Sequence, residues 1–263
     1  ETAKQAFTLA TELDSKNRFA WYGLGAIQNE FKLSDKAIEA YQQAIQLDPK
    51  FAAPHNGLGN VYSDQKDYDK AIEACQQAIQ LDPKFAAPHN GLGIVYSDQQ
   101  DYDKAIEAYQ QAIQLDPKYA YPHNNLGNVY RDQQDYDKAI EAYQQAIQLD
   151  PKFAYPHNNL GNVYREQQDY DKAIEAYQQA IQIDPKFAAP HNSLGLVYRE
   201  QQDYDKAIEA YQQAIQLDPK NAYPHNGLGL VYSDQQDYDK AIEAYQQAIQ
   251  IDPKNAYPHN NLG

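Results

Sequence analysis

The sequence predicts an all-α solenoid of stacked helix-turn-helix units, and three observations carry that prediction. The triplet Asp-Pro-Lys recurs at Asp48, Asp82, Asp116, Asp150, Asp184, Asp218 and Asp252, always 34 positions on. Each period holds two helical patterns of similar length and no strand pattern. Neither apolar stripe can be buried by one helix pair alone, so every unit needs copies of itself on both sides.

The unit 120–153 shows the elements in order. Leu126, Val129 and Tyr130 form an i, i+3, i+4 stripe on the first helix, and His123 extends it back one turn. Pro122 is tolerated there because first-turn N–H groups lack intrahelical partners. Gly127 has no Cβ and permits a close crossing, with small Ala139 and Ala146 suited to the facing side. Asp135 and Asp137 stand where the second helix starts and suit its dipole and orphan N–H groups. Ala139, Ile140, Tyr143, Ala146 and Ile147 form the second stripe, and Pro151 stops that helix. Phe51, Phe85, Tyr119, Phe153 and Phe187 are expected to pack as staples where units join.

Seven complete units follow from this phase: 18–51, 52–85, 86–119, 120–153, 154–187, 188–221 and 222–255. Residues 1–17 read as the second helix of an earlier unit, since Ala3, Ala6, Phe7, Ala10 and Leu13 match Ala37, Ala40, Tyr41, Ala44 and Leu47. Residues 256–263 read as the opening of a further first helix. No linker or composition shift interrupts the array, so 1–263 is expected to be one solenoid domain.

Composition narrows the function classes. A formal charge of −15 and a pI near 4.7 argue against phosphate-backbone binding and against an anionic membrane surface. No apolar run approaches the length needed to span a bilayer, and no signal-peptide pattern opens the chain. The absence of Met, an initiator included, reads as a processed or excised fragment. A single cysteine, Cys75, rules out an internal disulfide framework and suits a reducing compartment such as the cytoplasm.

These residues resemble the tetratricopeptide repeat, a 34-residue helix-turn-helix with aromatic, Leu, Gly, Tyr, Ala and Pro signatures at set places. Trp21, Leu24 and Gly25 match in the first unit. Leu126, Gly127, Tyr130, Ala139, Tyr143, Ala146 and Pro151 match in the central one. The resemblance covers nearly the whole chain. It implies an alpha-alpha superhelix, a right-handed solenoid with the first helices lining a concave groove. Two departures stand out. His replaces an aromatic at His55, His89, His123, His157, His191, His225 and His259, and Gln134 or Lys66 stands where the family has a turn Gly. The latter suggests a different backbone conformation at that turn.

Comparison of the units from Ala52 onward isolates four variable places on the first helix. They are Ala53/Ala87/Tyr121/Tyr155/Ala189/Tyr223, then Gly57/Gly91/Asn125/Asn159/Ser193/Gly227, then Asn60/Ile94/Asn128/Asn162/Leu196/Leu230, then Ser63/Ser97/Arg131/Arg165/Arg199/Ser233. Spacings of 4, 3 and 3 put them on one helix face. The resemblance points that face into the groove, where Asn can pair with a peptide main chain and Tyr and Arg add area and charge. The expected peptide-binding residues are Tyr121, Asn124, Asn125, Asn128 and Arg131, then Tyr155, Asn158, Asn159, Asn162 and Arg165, then Asn192, Leu196 and Arg199. Neutral drift after recent duplication is the competing account of the same variation.

The carboxylate clamp of chaperone-binding relatives is not matched. Asn128 and Asn159 fit its Asn places, but its basic places hold Ala189, Tyr223, Asn124, Gly227 and Ser193. The seven His recur one unit apart, ~10 Å per helix layer, which does not suit a shared zinc; a packing role is expected, with no metal or cofactor. Cys75 stands where the other units carry Tyr and reads as a small buried substitute that leaves a local void. No catalytic constellation occurs. The expectation is a noncatalytic scaffold for an extended peptide or protein segment, with no nucleic-acid or membrane partner. Alternatives are a self-assembling spacer rod and the interaction arm of a larger enzyme. The uncapped ends suggest head-to-tail self-association.

Overall fold

The computed structural model describes residues 2–254 and Pro258. The described residues contain fifteen α-helices and no strand. After α1 (Thr2–Leu13) the helices alternate as first and second members of the repeats. First helices are α2 (Arg18–Glu30), α4 (Ala52–Asp64), α6 (Ala86–Asp98), α8 (Ala120–Asp132), α10 (Ala154–Glu166), α12 (Ala188–Glu200) and α14 (Ala222–Asp234). Second helices are α3 (Ser34–Leu47), α5 (Tyr68–Leu81), α7 (Tyr102–Leu115), α9 (Tyr136–Leu149), α11 (Tyr170–Ile183), α13 (Tyr204–Leu217) and α15 (Tyr238–Ile251). The reading of 256–263 as a further helix, His259 included, falls outside the described residues apart from Pro258.

Two compact units divide the chain, Glu1–Gln133 and Gln134–Gly263. Their boundary falls at the turn between α8 and α9, inside a repeat, where the composition marks no linker. Each unit stacks in the same way. In the first, α2, α4 and α6 pack against their own second helices and against the next first helix; α12 does the same in the second. α1 packs on α2 as α3 packs on α4, which matches its reading as a second helix.

Local chemistry sets the helix ends. Asp101, Asp135, Asp169, Asp203 and Asp237 cap their helices by accepting the N–H of Lys104, Lys138, Lys172, Lys206 and Lys240. The same Asp residues take the Lys ammonium at 2.6 Å, and in α7 the Lys104 hydrogen bond holds the Asp101 carboxyl below its usual range. The joining aromatics Phe51, Phe85, Tyr119, Phe153 and Phe187 occupy the N-cap position itself, with extended backbone and no side-chain cap. Asn17 and Asn221 hold the same place and do cap, with Asn221 Oδ1 accepting the Tyr223 N–H.

The turn between paired helices corrects one expectation. Lys32, Lys66, Gln100, Gln134, Gln168, Gln202 and Gln236 all have φ between 56° and 64°. The backbone therefore keeps the left-handed conformation that a Gly would adopt, and the longer side chains bear its strain. Those side chains point to solvent, where Cβ crowding is the only obstacle.

The core is a tyrosine at each joint except that of α5, which carries Cys75. Tyr41 of α3 clusters with Leu58 and Val61 of α4 and Ala74 of α5; Tyr211 of α13 does likewise with Leu228, Val231 and Ala244. Gly25 approaches Tyr41, with a built Cβ only 2.7 Å from the ring. Its role is thus to admit a ring rather than small Ala residues, as expected for its counterpart Gly127. The ring's other face meets the next repeat, where a Cβ on Gly57 would lie 2.5 Å from it.

Two outcomes follow for stability. Gly195→Ala would place a Cβ 2.7 Å from Tyr211, a ring so closely held that a Cβ on Gly227 of the next repeat would also lie 2.5 Å from it. Overpacking of ~1–3 kcal/mol should exceed the ~1 kcal/mol gain in helix propensity, giving net destabilisation in urea titration. Gln100→Gly should stabilise by roughly 0.5–1 kcal/mol, since relief of left-handed strain outweighs the added unfolded-state entropy.

Candidate functional site

The variable face of the first helices is not uniformly exposed, and each of its places does something different. At the first place Tyr121 is 53% exposed in the first unit, and Tyr155 and Tyr223 are 56% and 64% exposed in the second. These rings stand at the helix starts, Tyr121 and Tyr155 beside joining aromatics and Tyr223 beside Asn221. Tyr121 lies 5.7 Å from Tyr119, and Tyr155 lies 5.9 Å from Phe153 and 4.6 Å from Phe187.

The second place belongs to the joint. Gly57, Gly91 and Gly227 sit against the second helix of the preceding repeat, and Asn125 occupies this place beside Asn90. Asn125 Nδ2 donates to Asn90 Oδ1 at 3.1 Å, and Asn124 Nδ2 donates to Asn125 Oδ1 at 3.2 Å. Asn124 and Asn158 are only 6% and 7% exposed, so little of either can meet a ligand without rearrangement. Asn159 and Asn192 are half-buried, and Asn158 Nδ2 donates to Asn159 Oδ1 at 3.5 Å.

At the third place Asn60 and Ile94 are exposed, whereas Asn128, Asn162, Leu196 and Leu230 are half-buried. Asn162 is engaged within the fold. Its Oδ1 accepts the Tyr177 O–H at 2.8 Å and the Ser193 O–H at 3.5 Å. Burial pushes Tyr177 up to about 12, so this phenol stays a donor.

The fourth place makes ion pairs between repeats. Arg165 Nη1 meets Glu200 Oε1 at 3.2 Å, and Arg199 grips Asp234 through Nε at 2.7 Å and Nη2 at 3.3 Å. Arg131 pairs with adjacent Asp132 at 3.1 Å. Where Ser63 replaces the Arg, the corresponding acid Asp98 has its carboxyl raised, by burial first and by nearby Asp64. The expected Arg contacts thus double as clasps along the stack. Their signal in the sequence is the acid 35 residues downstream, visible only once the helix faces are known.

A concavity of about 190 Å³ does open on this face, lined by Asn60, Ser63, Asp64, Asn90, Gly91 and Ile94. Asn60, Ser63, Gly91 and Ile94 belong to the four variable places, and Ile94 reads as an apolar contact beside the polar centre, but none of the six was among the expected peptide-binding residues. A second cleft of about 360 Å³ holds His89, Leu92, Tyr96, Lys104, Glu107, Ala108 and Gln111. The described His residues are half-buried, and burial lowers the pKa of His55, His89, His123, His157, His191 and His225. Among the described residues no three His, Cys, Asp or Glu gather as a metal site. Burial pushes the Cys75 thiol up to about 12, which leaves almost no thiolate for nucleophilic attack.

Helical hairpins stacked through buried side chains, with one face of each first helix left partly open, define a repeat-built α-helical solenoid. The comparisons with known proteins agree. Tetratricopeptide repeat models match residues 34–66, 51–118 and 84–152, and the model described as the cilia and flagella-associated protein 70 C-terminal domain matches 120–258. The chain belongs to the tetratricopeptide repeat family.

Among curated proteins none matches it. Of solved structures, MamA is 30% identical with a TM-score of 0.53, over 63% of this chain and 96% of that one. The hetero-tetramer Cut9-Hcn1 of the APC/C gives 24% identity and a TM-score of 0.79 over 98% of this chain and 51% of that one. The chain thus spans about half the length of that relative. Yeast Tom70 gives 19% and 0.73, over 99% of this chain and 57% of that one. The last two are likenesses of fold. Among the described residues no helix is long and apolar enough to cross a membrane.

The histidines set an acid limit on stability. Their folded pKa values lie below the ordinary 6.5, so the unfolded chain binds protons first as pH falls. Stability is complete above about pH 6.5 and declines as pH drops toward the lower folded values. The melting temperature should fall from pH 7 to pH 5 in thermal melts, with a shallower slope when His89 and His191 are replaced by Gln. The capping Asp residues titrate below that window, because their Lys partners hold them low.

Proposed function

We propose that the chain is a noncatalytic scaffold that binds an extended peptide or protein segment along the variable face of its first helices. The observation that carries this reading is the exposure of Tyr121, Tyr155 and Tyr223 on that face, while the joint tyrosines of the second helices are buried. Exposed aromatic rings are the side chains from which interfaces draw most of their energy. Half-buried Asn128 and Asn159 would supply main-chain hydrogen bonds, and Leu196 and exposed Ile94 apolar contact. A net charge of −15 favours a partner segment carrying positive charge.

The internal bonds of Asn162, Arg165 and Arg199 favour a second reading, a spacer whose varied residues serve the stack alone. The two readings separate on one experiment. Peptides selected from a random display library against the chain are titrated against Tyr121→Ala, Tyr155→Ala and Tyr223→Ala. The scaffold reading expects at least one substitution to weaken binding about tenfold or more, with unchanged melting temperature. Affinities that ignore all three, or a library that yields no binder, leave the spacer.

A further inference from the structure

One joint lacks its ring. Six second helices carry Tyr at the place that α5 fills with Cys75. At two joints, those of Tyr41 and Tyr211, the ring lies between two glycines. A Cβ on Gly25 would stand 2.7 Å from Tyr41 and one on Gly57 2.5 Å from it. Around Cys75 the same pair remains, and a Cβ on Gly59 or Gly91 would lie 2.6 or 3.1 Å from Sγ. The sulfur takes the root of the ring's space, and nothing from α5 takes its tip.

Three observations bear on that space. A concavity of about 190 Å³ opens beside it, lined by Asn60, Ser63, Asp64, Asn90, Gly91 and Ile94, and shares Gly91 with the Cys75 joint. The Tyr177 O–H donates to Asn162 at 2.8 Å, and Asn60 holds the corresponding position in the Cys75 joint. A Cβ on Gly91 would lie 3.7 Å from Asn60 Oδ1 and 3.8 Å from Asn56 Oδ1, and the latter is a buried oxygen with no hydrogen-bond partner. A buried acceptor left unsatisfied costs free energy that an incoming donor recovers.

We propose that this pocket binds a neutral phenolic ring, seated over Gly91 with its hydroxyl donating to the Asn60 side-chain oxygen, close to the unpartnered Asn56 Oδ1. The size fits, since a cavity of about 150 Å³ is enough to take benzene. The acceptors call for a donor at the ring's tip, which distinguishes a phenol from a plain arene. Asp64 on the rim, joined to Lys32 at 2.9 Å, opposes an anionic ring such as a benzoate. The ring can arrive as a free phenol or as the tyrosine side chain of a bound segment. The pocket's existence does not rest on the peptide-binding reading above, because it is defined by a missing part of the protein's own core.

The test is calorimetric titration of the full chain with 4-methylphenol, with toluene and N-acetyl-tyrosinamide as parallel arms. Wild type should bind 4-methylphenol saturably at one site, with toluene at least about threefold weaker. Cys75→Tyr restores the ring that the other repeats carry and should weaken 4-methylphenol at least tenfold. Gly91→Asn introduces the residue found at Asn125 and Asn159 and should occlude the pocket equally. Asn60→Ala should erase the preference over toluene. Binding of N-acetyl-tyrosinamide assigns the pocket to a side chain, and binding of 4-methylphenol alone assigns it to a free phenol; either supports it. No saturable binding by wild type, or undiminished binding by both Cys75→Tyr and Gly91→Asn, overturns it. Neither variant touches Tyr121, Tyr155 or Tyr223, so failure here leaves the peptide-binding reading standing.

Discussion

Every joint of the stack but that of Cys75 depends on a tyrosine ring held against two helix backbones. Tyr41 between Gly25 and Gly57, and Tyr211 between Gly195 and Gly227, show the arrangement complete. A ring buries more apolar area than any other side chain that fits so thin a gap, and the glycines set the gap's width. The contact is made once within a repeat and once with the next, so helix pairing and repeat stacking are satisfied by the same atoms. This is why an isolated hairpin has no core of its own, and why the chain reads as one long repetition.

That constraint reaches the open face of the first helices. The residue next to the ring on the following repeat is one of the four places that vary, so its variation is not free. Asn125 stands there and donates to Asn90; Ser193 stands there and reaches Asn162, which also holds the Tyr177 hydroxyl. A second line of coupling runs along the helix ends, where Arg165 with Glu200 and Arg199 with Asp234 tie successive repeats. Exposed ion pairs of this kind contribute about 0–1 kcal/mol each, and they occupy the Arg side chains within the stack. The open part of this face is therefore narrower than its variability implies, and the tyrosines at the helix starts are its most accessible part.

The fold was legible in the sequence because the repeat writes the same pattern many times. Leu126 and Val129, Ala139 and Tyr143, and the capping Asp135 all took the places their spacing required, since helical periodicity and capping are local effects. The turn was misread at Gln134. Residue type favours Gly at positive φ, but tertiary packing of the two helices imposes the left-handed backbone on whatever residue stands there. The candidate site was legible only as a face. Burial of Asn124 and Asn158, and the internal bonds of Arg165 and Arg199, depend on residues 1 to 35 positions away that periodicity alone does not pair.

The sequence by itself determined the helices, the period, the family and the positions that differ among repeats, because those follow from residue order and spacing along one chain. Only the tertiary structure decided which differing residues face solvent and which serve the joint, because that depends on how closely one repeat's backbone approaches the next. The Cys75 joint shows the division. The sequence marks a missing ring; only the folded chain shows that a concavity bounded by Gly91 and Asn60 opens beside that joint.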